Sequence, residues 1–259
     1  MKIVVLVKQV PDSGAERSLR SDDHTVDRAS ASNVLNEMDE YAIEEALRVK
    51  EAVGGEVTVV TMGPPQAVEA VRKALQMGPD KAVHVTDEAL HGSCALATSK
   101  VLAAAVRSLE PDLILAGAEA TDARGQVIPH MVAERLGIAA LTGARKLTVE
   151  GNRLTVERQT EEGYEVVTAS TPAVVSVWDT INEPRYPSFK GIMEAKKKPV
   201  QTVSLADLGI SPDEVGLAGA STAVVEAAPR PPRQAGTRVV DEGDGGVKLV
   251  EFLAAEKFV

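Results

Sequence analysis

Four short runs of apolar and mostly β-branched residues constrain the fold of this chain more than any other feature. The runs cover residues 3–7, 57–61, 82–85 and 113–116. A continuous apolar run of this length is typical of a strand buried on both faces, as in a parallel sheet. We therefore predict a mostly parallel, twisted β-sheet at the centre of the molecule.

Segments with helical spacing separate these runs. Ile43, Ala46 and Leu47 fall on one side of a predicted helix, and charged residues fall on the other. Asn36 is placed to cap that helix. Strand and helix alternation with short connections predicts right-handed βαβ units and an α/β fold. The predicted helices cover residues 40–52, a segment from Pro64 and Pro65 to Gly78, 95–109 and 126–136.

The pattern changes after Gly137. A hairpin turn signal, Glu150-Gly151-Asn152, lies among four short strand patterns at 145–149, 153–158, 165–170 and 173–178. We interpret residues 139–180 as an antiparallel insert within an α/β domain that spans residues 1–208. Residues 209–259 are rich in Ala, Gly, Ser and Pro and end in a predicted amphipathic helix at 247–258. This composition predicts an extended C-terminal arm that folds on a partner subunit.

Composition excludes several classes of function. The net charge of −10 argues against nucleic acid as the main ligand. The single cysteine, Cys94, and four histidines without ligand spacing give no support to a metal site. No stretch approaches 18 consecutive apolar residues, and the N-terminus is too short for a signal peptide. We expect a bacterial cytoplasmic protein that is not embedded in a membrane.

Three segments are expected to meet at the carboxyl ends of the strands, where α/β sheets bind ligands. They cover residues 7–12, 62–65 and 116–129. In the third, Gly117 permits close backbone approach, the amides of residues 125–127 can receive a phosphate, and Arg124 can add a charge. Neither a Walker sequence nor a Gly-x-Gly-x-x-Gly fingerprint is present, so the sequence does not support an ordinary P-loop NTPase or an ordinary dinucleotide-binding dehydrogenase. The pattern fits a mononucleotide site or a simple glycine turn before a helix.

The segment 182–198 combines stiff backbone, one aromatic residue and a basic run. Pro184 and Pro187 restrict the backbone on the approach to Phe189, and three lysines follow at 196–198. One interpretation is a connector into a short helix with a solvated lysine face. The other is a loop that presents Phe189 to a partner at small ordering cost.

Several motifs resemble, in order and along nearly the whole chain, those of the β subunit of electron transfer flavoproteins. NEPRY with its extension IMEAKKK is the most specific of them. The motifs are VLVKQVPD at 5–12, NEMDEYAIEEAL at 36–47, TMGP at 61–64, ALQMGPD at 74–80, VER at 156–158, TPAVV at 171–175, NEPRY at 182–186 and IMEAKKK at 192–198.

The resemblance implies an adenine nucleotide α-hydrolase-like fold and an electron carrier rather than a stand-alone enzyme. It implies structural AMP in this subunit, redox FAD held mainly by an α subunit, and electron transfer from acyl-CoA or related dehydrogenases to a quinone oxidoreductase or another acceptor. No catalytic residue is assigned. The implied nucleotide contacts are Leu6, Val7, Lys8, Asn36, Met38, Asp39, Met62, Gly117, Asp122, Arg124, Gly125, Gln126 and Val127. The implied docking residues are Arg185, Tyr186, Phe189, Ile192 and Met193, and many relatives carry leucine at the position of Phe189.

Three alternatives stay open at the level of sequence. A bifurcating version with a second FAD and NADH oxidation needs more room than the short loop around Arg124 offers. An ATP-hydrolysing or nucleotide-sensing domain needs a phosphate-gripping loop after the first strand, and the sequence from Val10 to Gly14 is not one. A pure interaction scaffold leaves the nucleotide site without a ligand.

Overall fold

The computed structural model describes residues 1–15, 17–228, 230–233, 236 and 238–259. These residues divide into two compact units, Met1–Val224 and Val225–Val259. None of the helices in the described residues has the length and apolar character needed to cross a membrane. The first unit contains the sheets and the predicted binding segments, and the second contains one helix, described below.

The strands of the described residues, in chain order, are β1 Lys2–Leu6, β2 Gln9–Pro11, β3 Asn33–Leu35, β4 Glu56–Met62, β5 Lys81–Val85, β6 Leu113–Gly117, β7 Ala139–Glu150, β8 Arg153–Thr160, β9 Gly163–Ser170, β10 Ala173–Val177 and β11 Val200–Val203. Nine of them form one sheet in the order β11-β5-β4-β1-β6-β10-β7-β8-β9, and β2 pairs with β3 in a small antiparallel sheet. The α-helices are α1 Glu37–Val53, α2 Val68–Met77, α3 Ala95–Arg107, α4 Ile128–Leu136, α5 Phe189–Ala195 and, in the second unit, α6 Gly245–Ala255.

Helices cover the parallel part of the sheet on both faces. In β1, Ile3 and Val5 pack in the core that includes α1 and α2, while Val4 and Leu6 pack in the core that includes α3 and α4. Successive side chains of a strand point to opposite faces, so a strand covered on both sides must be apolar throughout. The prediction of an α/β fold with a mostly parallel sheet is confirmed.

Seven of the eight predicted strands agree with the structure to within about two residues. The eighth, β7, begins six residues before its predicted start at 145, and β2, β3 and β11 were not predicted. Among the helices, the start of the fourth differs for an identifiable reason. The fourth helix begins at Ile128 rather than at residue 126. Arg124 and Gln126 have φ angles of 48° and 54°, a left-handed conformation that a right-handed helix cannot contain. The loop after β6 is therefore longer than predicted.

The antiparallel region is smaller than the interval 139–180. The strand predicted at 173–178 is β10, which lies between β6 and β7 and runs parallel to both. The first half of β7 is also part of the parallel sheet, and its second half pairs antiparallel with β8. An apolar run identifies a buried strand but not its direction, so the grouping of β10 with the antiparallel strands was wrong.

The first compact unit extends beyond the predicted boundary at residue 208. Ile210 and Val215 are buried in the same core as α3 and α4. The amide of Gly216 donates to the hydroxyl of Ser93 at 2.9 Å, and the amide of Leu217 donates to the carbonyl of His91 at 2.9 Å. Residues 209–224 thus belong to the body of the domain, since they bury apolar side chains and satisfy their backbone there.

The central position of β10 leads to a test with a matched control. Val175 in β10 is fully buried, and Val166 in β9 is exposed. Val175→Ala should lower the free energy of unfolding by about 2 kcal/mol, because it removes buried methyl groups and leaves a cavity. Val166→Ala should change it by less than about 0.5 kcal/mol. Urea denaturation of the purified chain measures both, and equal effects would contradict the placement of β10.

Candidate functional site

The direction of chain travel reverses at β1, which creates a crevice at the carboxyl end of the sheet. From β1 the chain moves to β4 and β5 on one side, and β6 lies on the other side of β1. Ligands of open α/β sheets bind at such a switch point. Lys8 follows β1, and residues 118–127 connect β6 to α4. Nζ of Lys8 donates to Asp122 at 2.8 Å, so the predicted segments 7–12 and 116–129 meet. The third predicted segment, 62–65, follows β4, which pairs with β1.

Gly117 at the end of β6 is required by the packing of α1. A Cβ at this position would lie 2.6 Å from Oδ1 of Asp39 and 2.7 Å from Cβ of Met38. Both distances are too short for any side chain at position 117. The predicted close approach at Gly117 is therefore made by the first turn of α1, which is brought against the strand end.

Asn36 joins the start of α1 to the loop after β6. Its side-chain amide donates to the carbonyl of Glu119 at 2.9 Å, and its side-chain oxygen accepts from the amide of Thr121 at 3.1 Å. The predicted side-chain cap on α1 is absent, because the Asn36 side chain is used in these contacts instead. The residue is almost fully buried, so both of its bonds form away from water, where an unpaired amide is costly.

Asp39 is a buried carboxyl group behind this contact. One of its oxygens accepts from the backbone amide of Lys8 at 2.8 Å. Burial raises the pKa of Asp39 to about 7, although hydrogen bonds from Asn36 and from the Lys8 amide act in the opposite direction. Asp39 therefore ties the ends of β1 and β6 to α1 without offering a free acidic group to a ligand.

Two cationic side chains bind Asp122 and so fix the loop after β6. The side chain of Asp122 is 2% exposed, and it accepts from Nζ of Lys8 at 2.8 Å and from a guanidinium nitrogen of Arg28. Burial alone would raise the pKa of Asp122, but Lys8 and Arg28 outweigh it and keep the pKa below the ordinary value. Sequence analysis missed Arg28, which lies in a polar stretch without periodicity and contacts a residue 94 positions away.

The rest of the loop is open. The side chain of Arg124 is 77% exposed and lies 4.0 Å from the carboxylate of Glu119. Gly125, Gln126 and Val127 are exposed, and their backbone amides donate to no acceptor among the described residues. These amides precede α4, where the helix dipole favours an anion.

The other predicted contacts contribute backbone or partly buried surface. Leu6 and Val7 are buried in the two cores, so only their backbone is available at the crevice. Met38 and Met62 are partly buried near the start of α1 and the end of β4. The site thus combines apolar walls with open amides and an excess of cations over Asp122.

The segment 182–198 is anchored to α1 at its first end. The side-chain amide of Asn182 donates to the carbonyl of Tyr41 at 3.0 Å and to Glu45 at 3.1 Å. The Arg185 guanidinium contacts Glu44 at 2.7 Å and Glu51 at 2.6 Å. Arg185, predicted to dock a partner, is thus placed so that its guanidinium holds the segment on α1.

The far end of the segment is anchored to α2. One guanidinium nitrogen of Arg72 donates to the carbonyls of Ala195 at 2.9 Å and Lys198 at 2.8 Å. Nζ of Lys198 donates to the carbonyl of Leu75 at 3.0 Å. A Cβ on Gly191 would lie 2.6 Å from the carbonyl oxygen of Gln76, so α5 packs closely on the end of α2.

Between these anchors the segment exposes apolar side chains. Tyr186 is 94% exposed and Phe189 is 83% exposed, while Met193 and Ile192 are about half and one-third exposed. Ser188 caps α5 by accepting from the amide of Gly191 at 3.0 Å. The segment is therefore a fixed platform with an outward aromatic group, and four of the five predicted docking residues lie on its open side.

Comparison with known proteins tests the family resemblance that the sequence motifs indicate. A family model described as the electron transfer flavoprotein domain matches residues 23–208. The electron transfer flavoprotein subunit beta of Mycobacterium leprae is 50% identical over 263 residues, covering 99% of each chain. The subunit of the same name from Megasphaera elsdenii is 36% identical over 271 residues, covering all of both chains. CarD, a subunit of the caffeyl-CoA reductase-Etf complex of Acetobacterium woodii, is 37% identical over 242 residues, covering 93% of this chain and 92% of its own.

The family model covers more than half of the chain, and the relatives align along nearly all of it. The resemblance carried by the motifs at 36–47 and 182–186 is thereby confirmed. The chain belongs to the electron transfer flavoprotein family, among the β subunits, whose role is electron transfer.

Proposed function

We propose that this chain binds AMP structurally, supports the FAD of an α subunit and docks dehydrogenases that donate electrons. In this proposal the flavin supplies the redox chemistry, and the residues of this chain bind, orient and dock. Electrons pass from acyl-CoA or related dehydrogenases to a quinone oxidoreductase or another acceptor. The convergence of Lys8, Asn36 and the loop 118–127 at the switch point carries the proposal.

The chemistry of the crevice supports a monophosphate ligand. Open amides at Gly125, Gln126 and Val127 provide donors, and helix α4 behind them adds a favourable dipole. Lys8 and Arg28 together carry one more charge than Asp122. An anion is therefore favoured on both electrostatic and hydrogen-bonding grounds, and apolar walls such as Met62 are suited to an adenine ring.

The backbone turns of the loop and its internal hydrogen bond favour AMP over a second flavin. Arg124 and Gln126 turn the chain back in left-handed conformations, and α4 begins directly afterwards at Ile128. Gln126 also donates to Glu119 at 2.8 Å, which closes the loop on itself. A flavin dinucleotide needs far more room than a mononucleotide, so we favour a β subunit that oxidises no NADH itself.

The anchored segment 182–198 supports a docking role. Its outward aromatic group is costly to keep in water unless a partner receives it, and the anchors at Asn182, Arg185 and Arg72 reduce the ordering cost of binding. The name of the Acetobacterium woodii relative associates that protein with a caffeyl-CoA reductase. This association supports a partner that acts on a CoA thioester.

The second unit supports association with the α subunit. Within that unit α6 buries none of its residues. Its exposed apolar side chains are Val247, Leu249, Val250 and Phe252. Such a helix is stable in water mainly through burial of its apolar side against another surface, and in this proposal the α subunit supplies that surface.

AMP should co-purify with the heterodimer at about one molecule per chain. Arg124→Ala should weaken AMP retention by about 1.5–3 kcal/mol, the range for a hydrogen bond to a charged group, without changing the melting temperature, because the side chain is exposed. Arg153→Ala is the control, since Arg153 is exposed and lies in β8, next to the β9 edge of the sheet, whereas the crevice lies between β1 and β6. Mass spectrometry of the denatured protein identifies the nucleotide and equilibrium dialysis gives its affinity. Stoichiometric FAD in this chain, or a well-ordered chain without nucleotide, would contradict the AMP assignment.

The C-terminal arm should be protected from proteases by the α subunit. We expect limited proteolysis of the isolated chain to cut between residues 229 and 246 and to slow sharply in the heterodimer. Pro229, Gln234, Ala235 and Thr237 in this interval lie outside the described residues. Peptide mapping by mass spectrometry locates the cuts, and equal rates in both forms would mean that the arm does not pack on the α subunit.

Phe189→Ala should weaken docking of the dehydrogenase. A buried interface aromatic often contributes 2 kcal/mol or more, so we expect a rise of roughly thirtyfold in apparent KM for the heterodimer. The assay follows dehydrogenase-dependent dye reduction, with flavin absorbance and melting temperature as checks. Phe189→Leu is the matched control and should be mild, because it keeps an apolar side chain. Loss of stability with unchanged KM would make Phe189 a structural residue instead.

A further inference from the structure

A strap, made of residues 12–15 and 17–32 in the described part of the chain, leaves the small sheet after β2 and returns to it at β3. An isolated bridge pairs Leu19 with Val26 within the strap. Asp23 accepts from Nε2 of His91 at 2.6 Å, which fixes the outer part of the strap to the body of the domain. The strap is thus anchored to the body of the domain independently of its contacts with residues 118–127, the nucleotide loop.

Two arginines of the strap contact the nucleotide loop 118–127. Arg17 donates to the carbonyl of Thr121 at 3.0 Å. Arg28 donates to the buried carboxylate of Asp122 with one guanidinium nitrogen and to the carbonyl of Gln9 at 3.3 Å with another. The guanidinium of Arg28 therefore bridges the strap, the segment after β1 and the loop after β6.

The charge of this cluster depends on Arg28. The side chain of Asp122 is 2% exposed, so water solvates its carboxylate poorly and protein cations must compensate its charge. With Lys8 and Arg28 both present, the cluster carries one excess positive charge, and Asp122 lies three residues before the first open amide of the same loop. Without Arg28 the excess is zero, and Lys8 is fully committed to Asp122.

We infer that Arg28 is a positioning residue of the nucleotide site and gives it selectivity for a phosphate. By neutralising Asp122 and fixing the loop, Arg28 keeps the amides of Gly125, Gln126 and Val127 directed at the anion and leaves the local charge positive. The strap, which apart from Asp12 lies outside the resemblance motifs used to identify the site, therefore sets how strongly AMP is preferred over the uncharged nucleoside. This inference rests on the proposed binding of AMP.

The test compares AMP with adenosine on the nucleotide-stripped heterodimer by isothermal titration calorimetry at fixed ionic strength. Arg28→Gln should lower AMP affinity about tenfold or more, the effect of losing a charge-assisted contact. Adenosine affinity should change by less than about threefold, because adenosine has no phosphate. Arg28→Lys should recover part of the AMP affinity. Arg20→Gln is the matched control, since it removes the same charge from the strap at a side chain that pairs with Asp22 and Asp23.

A double variant separates charge from packing. Arg28→Gln combined with Asp122→Asn removes both charges and leaves Lys8 as the excess cation, so AMP affinity should return to within about threefold of wild type. A double variant as weak as Arg28→Gln would overturn the charge argument. Equal losses for AMP and adenosine in Arg28→Gln, or no loss for either, would overturn the inference. If the wild-type heterodimer binds adenosine and AMP equally, the selectivity inference fails while nucleotide binding stands, and if it binds neither, the proposed function fails as well.

Discussion

The first turn of α1 lies so close to the end of β6 that only glycine fits at position 117. This contact fixes the rest of the crevice. It places Asn36 where its amide reaches Glu119 and Thr121, and it places Asp39 against the backbone of Lys8. Hydrogen bonds between side chains and backbone thus join the segment after β1, the start of α1 and the loop after β6 without a ligand. This arrangement lowers the ordering cost of binding.

Two buried aspartates of the crevice, Asp39 and Asp122, differ in the groups that bond to their carboxylates. Asp39 has no cation bonded to its carboxylate among the described contacts, and burial raises its pKa to about 7. Asp122 is equally inaccessible but accepts from Lys8 and Arg28, which keep its pKa low. An ionised carboxylate that is buried must have such partners, because removing one leaves an uncompensated charge at a cost of several kcal/mol. The loop after β6 is consequently held by ionic contacts, whereas α1 is held by hydrogen bonds and packing.

Sequence analysis predicted the central strands β1, β4, β5 and β6 and the helices between them because apolar periodicity depends only on neighbouring residues. It failed where the answer depended on distant ones. The run that became β10 has the same pattern in either direction, and its parallel pairing follows from its place between β6 and β7. Asn36 has the sequence position of a local helix cap, but its side chain hydrogen-bonds to Glu119 and Thr121, which lie 83 and 85 residues further along the chain. The resemblance motifs pointed to the residues of the crevice and of the segment 182–198, whose binding roles remain proposals, yet no local pattern marked the contacts of Arg28, Glu44 and Arg72.

Helix α1 connects the two candidate sites. Its start carries the crevice contacts at Asn36 and Asp39, and its later turns carry Glu44 and Glu51, which hold Arg185 of the segment 182–198. At 1.5 Å per residue these contacts span roughly 20 Å of one helix. Both sites are therefore positioned by the same rigid element, and a nucleotide that stabilises the start of α1 stabilises the base on which Phe189 is presented. The connection is one of shared placement, and within the proposed function it gives a structural nucleotide a role in presenting Phe189.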